Sequence, residues 1–244
     1  MTVKELKTWQ DKFKDLIDKQ ARRNGLVTNK IEPVYDGVID AEEYLKSDLK
    51  VAWMLKEPYD DFDTEGKPYG GGWSFQEGFS DRDENWVKRN GTKHWTNPIW
   101  QKIVYVMYGY LNGLDWDSMP WIRTQPQMMD AILSVALFNV SKMPAKTNSC
   151  DGMFRVNFNN YWRDVVEKQL EVYNPDVVIF GYTFSCFKPA WEPDLKYVDE
   201  SPKGWVRHYM RGKRHLLDTY HPGRKGCDYV NDLIHMLTSI KKPR

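Results

Sequence analysis

At 244 residues the chain is long enough to enclose one sizeable core, and a single domain over residues 1–244 is expected. Its 35 Lys and Arg against 34 Asp and Glu give a net charge of +1, which removes any whole-chain electrostatic argument for a nucleic-acid or membrane surface; such a partner must be met by a local patch. Cys150, Cys186 and Cys227 are odd in number, far apart and lack a CxxC spacing, which disfavours a disulfide framework, a zinc site or a contiguous iron–sulfur ligand set and fits a reducing cytoplasm.

In chain order, Leu6, Trp9, Phe13, Leu16 and Ile17 recur at helical spacing, so residues 3–23 are predicted to form an amphipathic helix packed on the core. The Met1 to Lys7 segment has no apolar signal core, and no apolar run approaches the roughly 20 residues that span a bilayer, so no membrane partner is expected. A loop around Pro33 and a helical piece from Asp40 to Ser47 precede a first strand, Leu49 to Leu55. The long Gly-rich and aromatic segment from Asp60 to Asn97 follows; a connection of that length in a compact domain is commonly functional.

Pro98 to Leu111 is predicted to be helical, with Gln127 to Leu133 a shorter helix leading into the apolar run Ile132 to Phe138. Asn157 to Tyr173 is an amphipathic helix stopped by Asn174-Pro175 before the strand Asp176 to Phe180. Phe187 to Arg211 is Pro-rich and reads as irregular, although Arg207 to His215 gathers basic residues around an aromatic, a pattern suited equally to a nucleic-acid backbone and to a solvated hairpin. A last strand, His215 to Tyr220, leads to a terminal helix, Cys227 to Ile240. Strands alternating with helices predict an α/β fold: a three-layer α/β/α sandwich around a mainly parallel, four-stranded central sheet.

Each predicted strand ends in polar residues. Glu57-Pro58-Tyr59-Asp60 follows the first, Asn139 the second, Gly181 and Thr183 the third, and His221 the fourth. In an open α/β sheet, ligands bind beyond the carboxyl ends of the strands, so these groups are expected to share one pocket. A carboxylate, a bidentate amide and an imidazole suit hydrolysis of a bond to a planar heterocycle, and no Gly-x-Ser-x-Gly elbow or Walker A loop points elsewhere. The 11 Trp, 14 Tyr and 10 Phe mostly serve packing, but the surplus also suits stacking on flat ligands.

In this order and approximate spacing the motifs resemble the uracil-DNA glycosylase superfamily across residues 50–235. Glu57-Pro58-Tyr59-Asp60 is similar to its water-activating Asp-Pro-Tyr-His, Gly72-Trp73-Ser74-Phe75 to its Gly-x-x-Phe-Ser, Asn139 to its base-reading Asn, and His221-Pro222-Gly223-Arg224 to its His-Pro-Ser-Pro. The resemblance implies base excision from DNA by metal-independent hydrolysis, in a monomer with no cofactor. It implies that Glu57 stabilises an oxocarbenium-like sugar and orients water while His221 donates to the departing base. It further implies that Asn139 reads the base, Trp73 or Phe75 stacks on it and Tyr59 excludes a thymine methyl. Ser141, Lys142, Thr183, Gly223, Arg224 and Lys225 are then expected along the phosphate backbone.

The sequence departs from that pattern at Glu57 for Asp, Asp60 for His and Gly223-Arg224 for Ser-Pro. Two alternatives therefore stand beside base excision: a nucleic-acid-binding module that keeps the pocket without the catalysis, and a hydrolase of small nucleosides or nucleotides.

Overall fold

The computed structural model describes residues 1–58, 60, 64–65, 67, 69–80, 97–145, 152–223 and 225–241. The chain opens with α1 (Val3–Arg23), whose first turn is closed by a reciprocal capping box between Thr2 and Glu5 and whose last turn carries Arg22 and Arg23. Next come β1 (Gly37–Val38), α2 (Ala41–Lys46), β2 (Val51–Leu55) and α3 (Phe75–Ser80). Helix α4 (Pro98–Asn112) starts with an Asn97 side-chain cap and a proline in the first turn, and Gly113 ends it at φ 66°.

A 3₁₀ stretch (Pro126–Ser134) then enters β3 (Val135–Asn139). α5 (Met153–Asn157) passes through one π turn (Phe158–Trp162) into α6 (Arg163–Tyr173), so the predicted helix begins four residues earlier than the sequence indicated. Its stop is as expected: Asn174 takes a left-handed φ of 44° and Pro175 follows. The rest comprises β4 (Val177–Gly181), α7 (Lys188–Trp191), β5 (Leu195–Glu200), β6 (Val206–Arg211), β7 (Arg214–Thr219) and α8 (Cys227–Lys241).

All seven strands form one mixed sheet in the order β1-β3-β2-β4-β7-β6-β5. This corrects the expectation of a four-stranded, mainly parallel sheet. The strands β3, β2, β4 and β7 do pair in parallel, but β1 adds an antiparallel edge on one side and β6 and β5 add two antiparallel strands on the other. The segment read as irregular thus holds two strands and a short helix. Its pattern is hard to see because β5 buries none of its residues fully, and Lys196, Asp199 and Glu200 interrupt any apolar run. The β6–β7 hairpin turns at Gly212-Lys213, with Gly212 at φ 60° at the first central position, the place a type II′ turn reserves for glycine.

The strands β2, β3 and β4 are buried at every position, as expected for parallel strands covered on both faces. Side chains alternate between two cores. Val51, Trp53, Leu55, Leu137, Ile179 and Leu217 face α4, the 3₁₀ stretch and α8. Ala52, Met54, Phe138, Phe180 and Leu216 face α1 and the helical run through Tyr173.

One polar network interrupts the second core. The Lys142 ammonium lies 2.8 and 2.6 Å from the two oxygens of Asp36 and 3.0 Å from Gln169 Oε1, while Gln169 Nε2 donates to Asp36 Oδ1 at 2.9 Å. Asp36 Oδ2 also accepts the Asn139 backbone N–H at 2.7 Å. Both ion-pair side chains are fully buried. Burial pulls the Lys142 pKa down and the Asp36 charge opposes that pull.

Removing one partner strands the other charge in the core. Asp36→Asn and Lys142→Met are each expected to lower unfolding free energy by about 3–5 kcal/mol, with the double variant recovering part of it, as read by urea denaturation.

Candidate functional site

Strand register sets the site. Leu55 pairs with Asn139, Met54 with Phe180, and Gly181 with Thr219, which puts Leu55, Asn139, Gly181 and Thr219 in one transverse row. The parallel pattern continues past the strands, with the N–H groups of Val140, Ser141 and Ala145 donating to the carbonyls of Leu55, Lys56 and Pro58 at 2.9, 3.1 and 2.9 Å. Two residues beyond the row stand Glu57, Ser141, Thr183 and His221. Gly181 lets β2 and the turn after β7 approach β4 closely: a Cβ there would lie 3.1 Å from Leu55 Cδ2 and from Pro222 Cδ.

His221 is half-buried, and burial together with the charges of Lys56 and Lys225 lowers its pKa to about 4. The ring is therefore neutral at physiological pH. Its Nδ1 accepts the Gly223 N–H at 3.3 Å, which assigns the proton to Nε2 and makes that nitrogen a donor. Gly223 is thus engaged with the imidazole. A Cβ at Gly223 would lie 3.7 Å from Ile99 Cγ1, so the first turn of α4 closes over this loop.

Asn139 is 2 % exposed, and its Nδ2 has no hydrogen-bond partner among the described residues, an arrangement that normally costs about 1–3 kcal/mol unless a ligand or water completes it. Glu57 is half-buried, with its charge felt at Cys186. Burial pushes the Cys186 thiol up to about 12, Arg155 and Arg163 pull it back, and the Glu57 carboxylate adds to the rise.

Two residues at this edge were missed by sequence reasoning. Lys56 places its ammonium 4.7 Å from the centroid of the Tyr182 ring and 5.1 Å from that of Phe154, and its charge acts on His221. Tyr182 has φ 67°, left-handed and costly for a side chain of this size. Its N–H donates to Thr219 O at 2.8 Å, fixing the turn out of β4 against β7. Neither Lys nor Tyr carries a sequence signal for such placement; a left-handed tyrosine is visible only in the folded backbone.

The Gly-rich segment is organised by Asp60, whose Oδ2 accepts the Gly71 N–H at 2.8 Å and Trp73 Nε1–H at 2.7 Å. Gly71, at φ 84°, admits no side chain: a Cβ would sit 1.9 Å from the Glu32 carbonyl oxygen. Phe75 is buried with its ring against Trp73, Phe79 and Trp100, at centroid separations of 5.4, 6.4 and 5.5 Å. The expected stacking face of Phe75 is therefore engaged in core packing, whereas Trp73 stays half-buried.

Three expected phosphate contacts are corrected. Lys142 is the buried partner of Asp36, Thr183 is buried with its hydroxyl donating to Met54 O at 2.8 Å, and Ser141 is 1 % exposed. Each follows an apolar run so closely that the chain is still inside the core when it is reached. Lys225 is half-buried, with its ammonium 4.7 Å from the Tyr220 ring centroid and 5.4 Å from that of Trp205. The basic cluster on β6 and β7 is largely engaged: Arg207 with Glu200, His208 with Asp199 and His215, Arg211 with Asp194, and Arg214 with the carbonyls of Pro175 and Leu170. Tyr59 and Arg224 lie outside the described residues.

No family model matches the chain, and no curated protein matches it. Among the described residues no helix is long and apolar enough to cross a membrane, and no group of three or more His, Cys, Asp or Glu side chains is placed to hold a metal ion.

An imidazole NMR titration is expected to place the His221 midpoint near pH 4. Since folding lowers this pKa, its stabilisation is present above the unfolded value of about 6.5 and is lost as pH falls through the folded one. Asp218 acts in the opposite sense, because burial raises it to about 6 and its contribution is lost as pH rises through that value. A His221 midpoint near 6.5 would refute the neutral, buried assignment.

Proposed function

We propose that this protein is a DNA glycosylase-like hydrolase, excising uracil or a related base by metal-independent cleavage of the N-glycosidic bond. The observation that carries the reading is His221: a neutral ring, with Nδ1 taken by Gly223 and Nε2–H left to donate, two residues beyond the same strand row as Glu57 and Ser141.

Cleavage by this route sends the electron pair of the C1′–N bond onto the base and leaves positive charge on the sugar. The Nε2–H of His221 meets the base oxygen on which negative charge accumulates; a neutral donor suits it because its proton stays on the ring. Glu57 stabilises the sugar cation and orients water, whose oxygen bonds to C1′ while its proton passes to the carboxylate or to solvent. Asn139 supports base reading because an amide offers a donor and an acceptor to an edge of the same pattern, and its Nδ2 has no partner among the described residues. Stacking falls to Trp73, braced edge-on by Phe75 at an interplanar angle of 81°.

The test is alkali-revealed strand cleavage of uracil-containing single- and double-stranded oligonucleotides, with thymine as control. Uracil-dependent abasic sites are expected, with Glu57→Gln and His221→Asn each slowing release by about 10²–10³-fold. If His221 acts as a neutral donor, the rate stays flat from pH 8 down to 5; a fall centred at 6.5 would contradict that role. Tight DNA binding with no product would replace excision by a binding role, and turnover of free nucleosides alone would replace it by a small-molecule hydrolase.

A further inference from the structure

A cavity of about 710 Å³ opens between the outer face of α4, the connection that follows it and the loop after β7. That volume is in the range of small-molecule sites. Its charged lining residues, Lys102, Arg123 and Lys225, are all cations, and Tyr105, Trp116 and Trp121 supply the rings. The wall is well fixed. Tyr105 accepts the Ile122 N–H through its hydroxyl at 3.2 Å and packs on Trp116 at 4.9 Å between centroids, while the Trp116 N–H donates to Asn231 Oδ1 at 2.8 Å. Trp121 stands edge-on to Trp116 at 6.0 Å and leaves 63 % of its surface exposed.

Lys102 is the unusual group. It is only 9 % exposed, and its ammonium lies 6.0 and 5.7 Å from the Tyr105 and Trp116 ring centroids with no carboxylate partner among the described residues. Burial lowers its pKa, and among the described residues no charge opposes the shift. The two rings offset only part of the cost of holding an ammonium there, and a bound anion would offset the rest. A large exposed indole lining the same cavity as that cation is the complement of a flat ring carrying negative charge.

We propose that this cavity binds a nucleotide unit, with its base against Trp121 and its phosphate among Lys102, Arg123 and Lys225. The inference does not rest on base excision, since a protein without that activity would bind in the same way. The unit is either a free mononucleotide or one residue of a single strand; the chemistry is shared and the test separates them.

Isothermal titration of the full chain with dTMP, thymidine, inorganic phosphate and 5′-phosphorylated (dT)₆ provides that test. The expected result is binding of dTMP at least about tenfold tighter than thymidine or phosphate, because both halves of the site are engaged. Trp121→Ala is expected to weaken dTMP by about five- to a hundredfold. Arg123→Ala and Lys102→Met are expected to weaken dTMP while leaving thymidine unchanged. Trp121 and Arg123 are exposed, so those variants read the site even if Lys102→Met does not fold. Binding of (dT)₆ without measurable dTMP binding, weakened by Trp121→Ala, assigns the unit to a single strand; comparable binding of both assigns a free nucleotide. Failure of both dTMP and (dT)₆ to bind, phosphate binding as tight as dTMP, or affinities unchanged in Trp121→Ala and Arg123→Ala would each overturn the proposal.

Discussion

Asp36 sits before β1, in a segment far in sequence from everything it binds, yet it fixes the end of β3 by accepting the Asn139 amide and the Lys142 ammonium while Gln169 of α6 holds it from the side. A carboxylate in such surroundings persists only when its acceptor capacity is filled, so the network is all or nothing. The consequence is positional. Asn139 can carry a buried Nδ2 without a partner among the described residues because its own backbone is held by that carboxylate, and Ser141 and Lys142 stay within the core for one more turn of chain. The carboxyl edge of the sheet inherits its shape from this one contact.

At that edge the field is positive where His221 lies. Lys56 and Lys225 approach the imidazole from the ends of β2 and β7, and both discourage a proton there. Each lysine is held by rings: Lys56 by Tyr182 and Phe154, and Lys225 by Tyr220 and Trp205. The aromatic surplus in the composition therefore does more than fill the core. It anchors cations at a strand edge where carboxylate partners would cancel their field. Lys225 also lines the cavity beside α4, so the loop after β7 borders both candidate sites.

The central strands were legible because burial on both faces writes an uninterrupted apolar run, as in Val177 to Phe180, and because Asn174-Pro175 and Asn97-Pro98 punctuate the helices. The outer strands were not, since β1 has two residues and β5 is carried by hairpin hydrogen bonds with hardly any apolar signal. Polar groups at strand ends were found for the same reason as the strands, but spacing along the chain does not report depth. It could not separate His221, which stays half-buried, from Thr183, whose hydroxyl turns back to Met54 O. Lys102 was invisible within an apolar helix pattern; only the fold reveals that its ammonium lies beside two rings, with no carboxylate partner among the described residues.

The outermost strand, β5, has no strand partner on one side among the described residues of a seven-stranded sheet, a position that in many proteins invites another chain to add on. Here that strand presents Lys196, Asp199 and Glu200 outward and carries a register shift between Tyr197 and Asp199. A neighbouring strand would have to bury those charges and match an interrupted ladder. At the opposite edge β1 offers only two residues, too short to template a partner. The sheet is thereby self-terminating: its width is set by charge and irregularity at one margin and by brevity at the other.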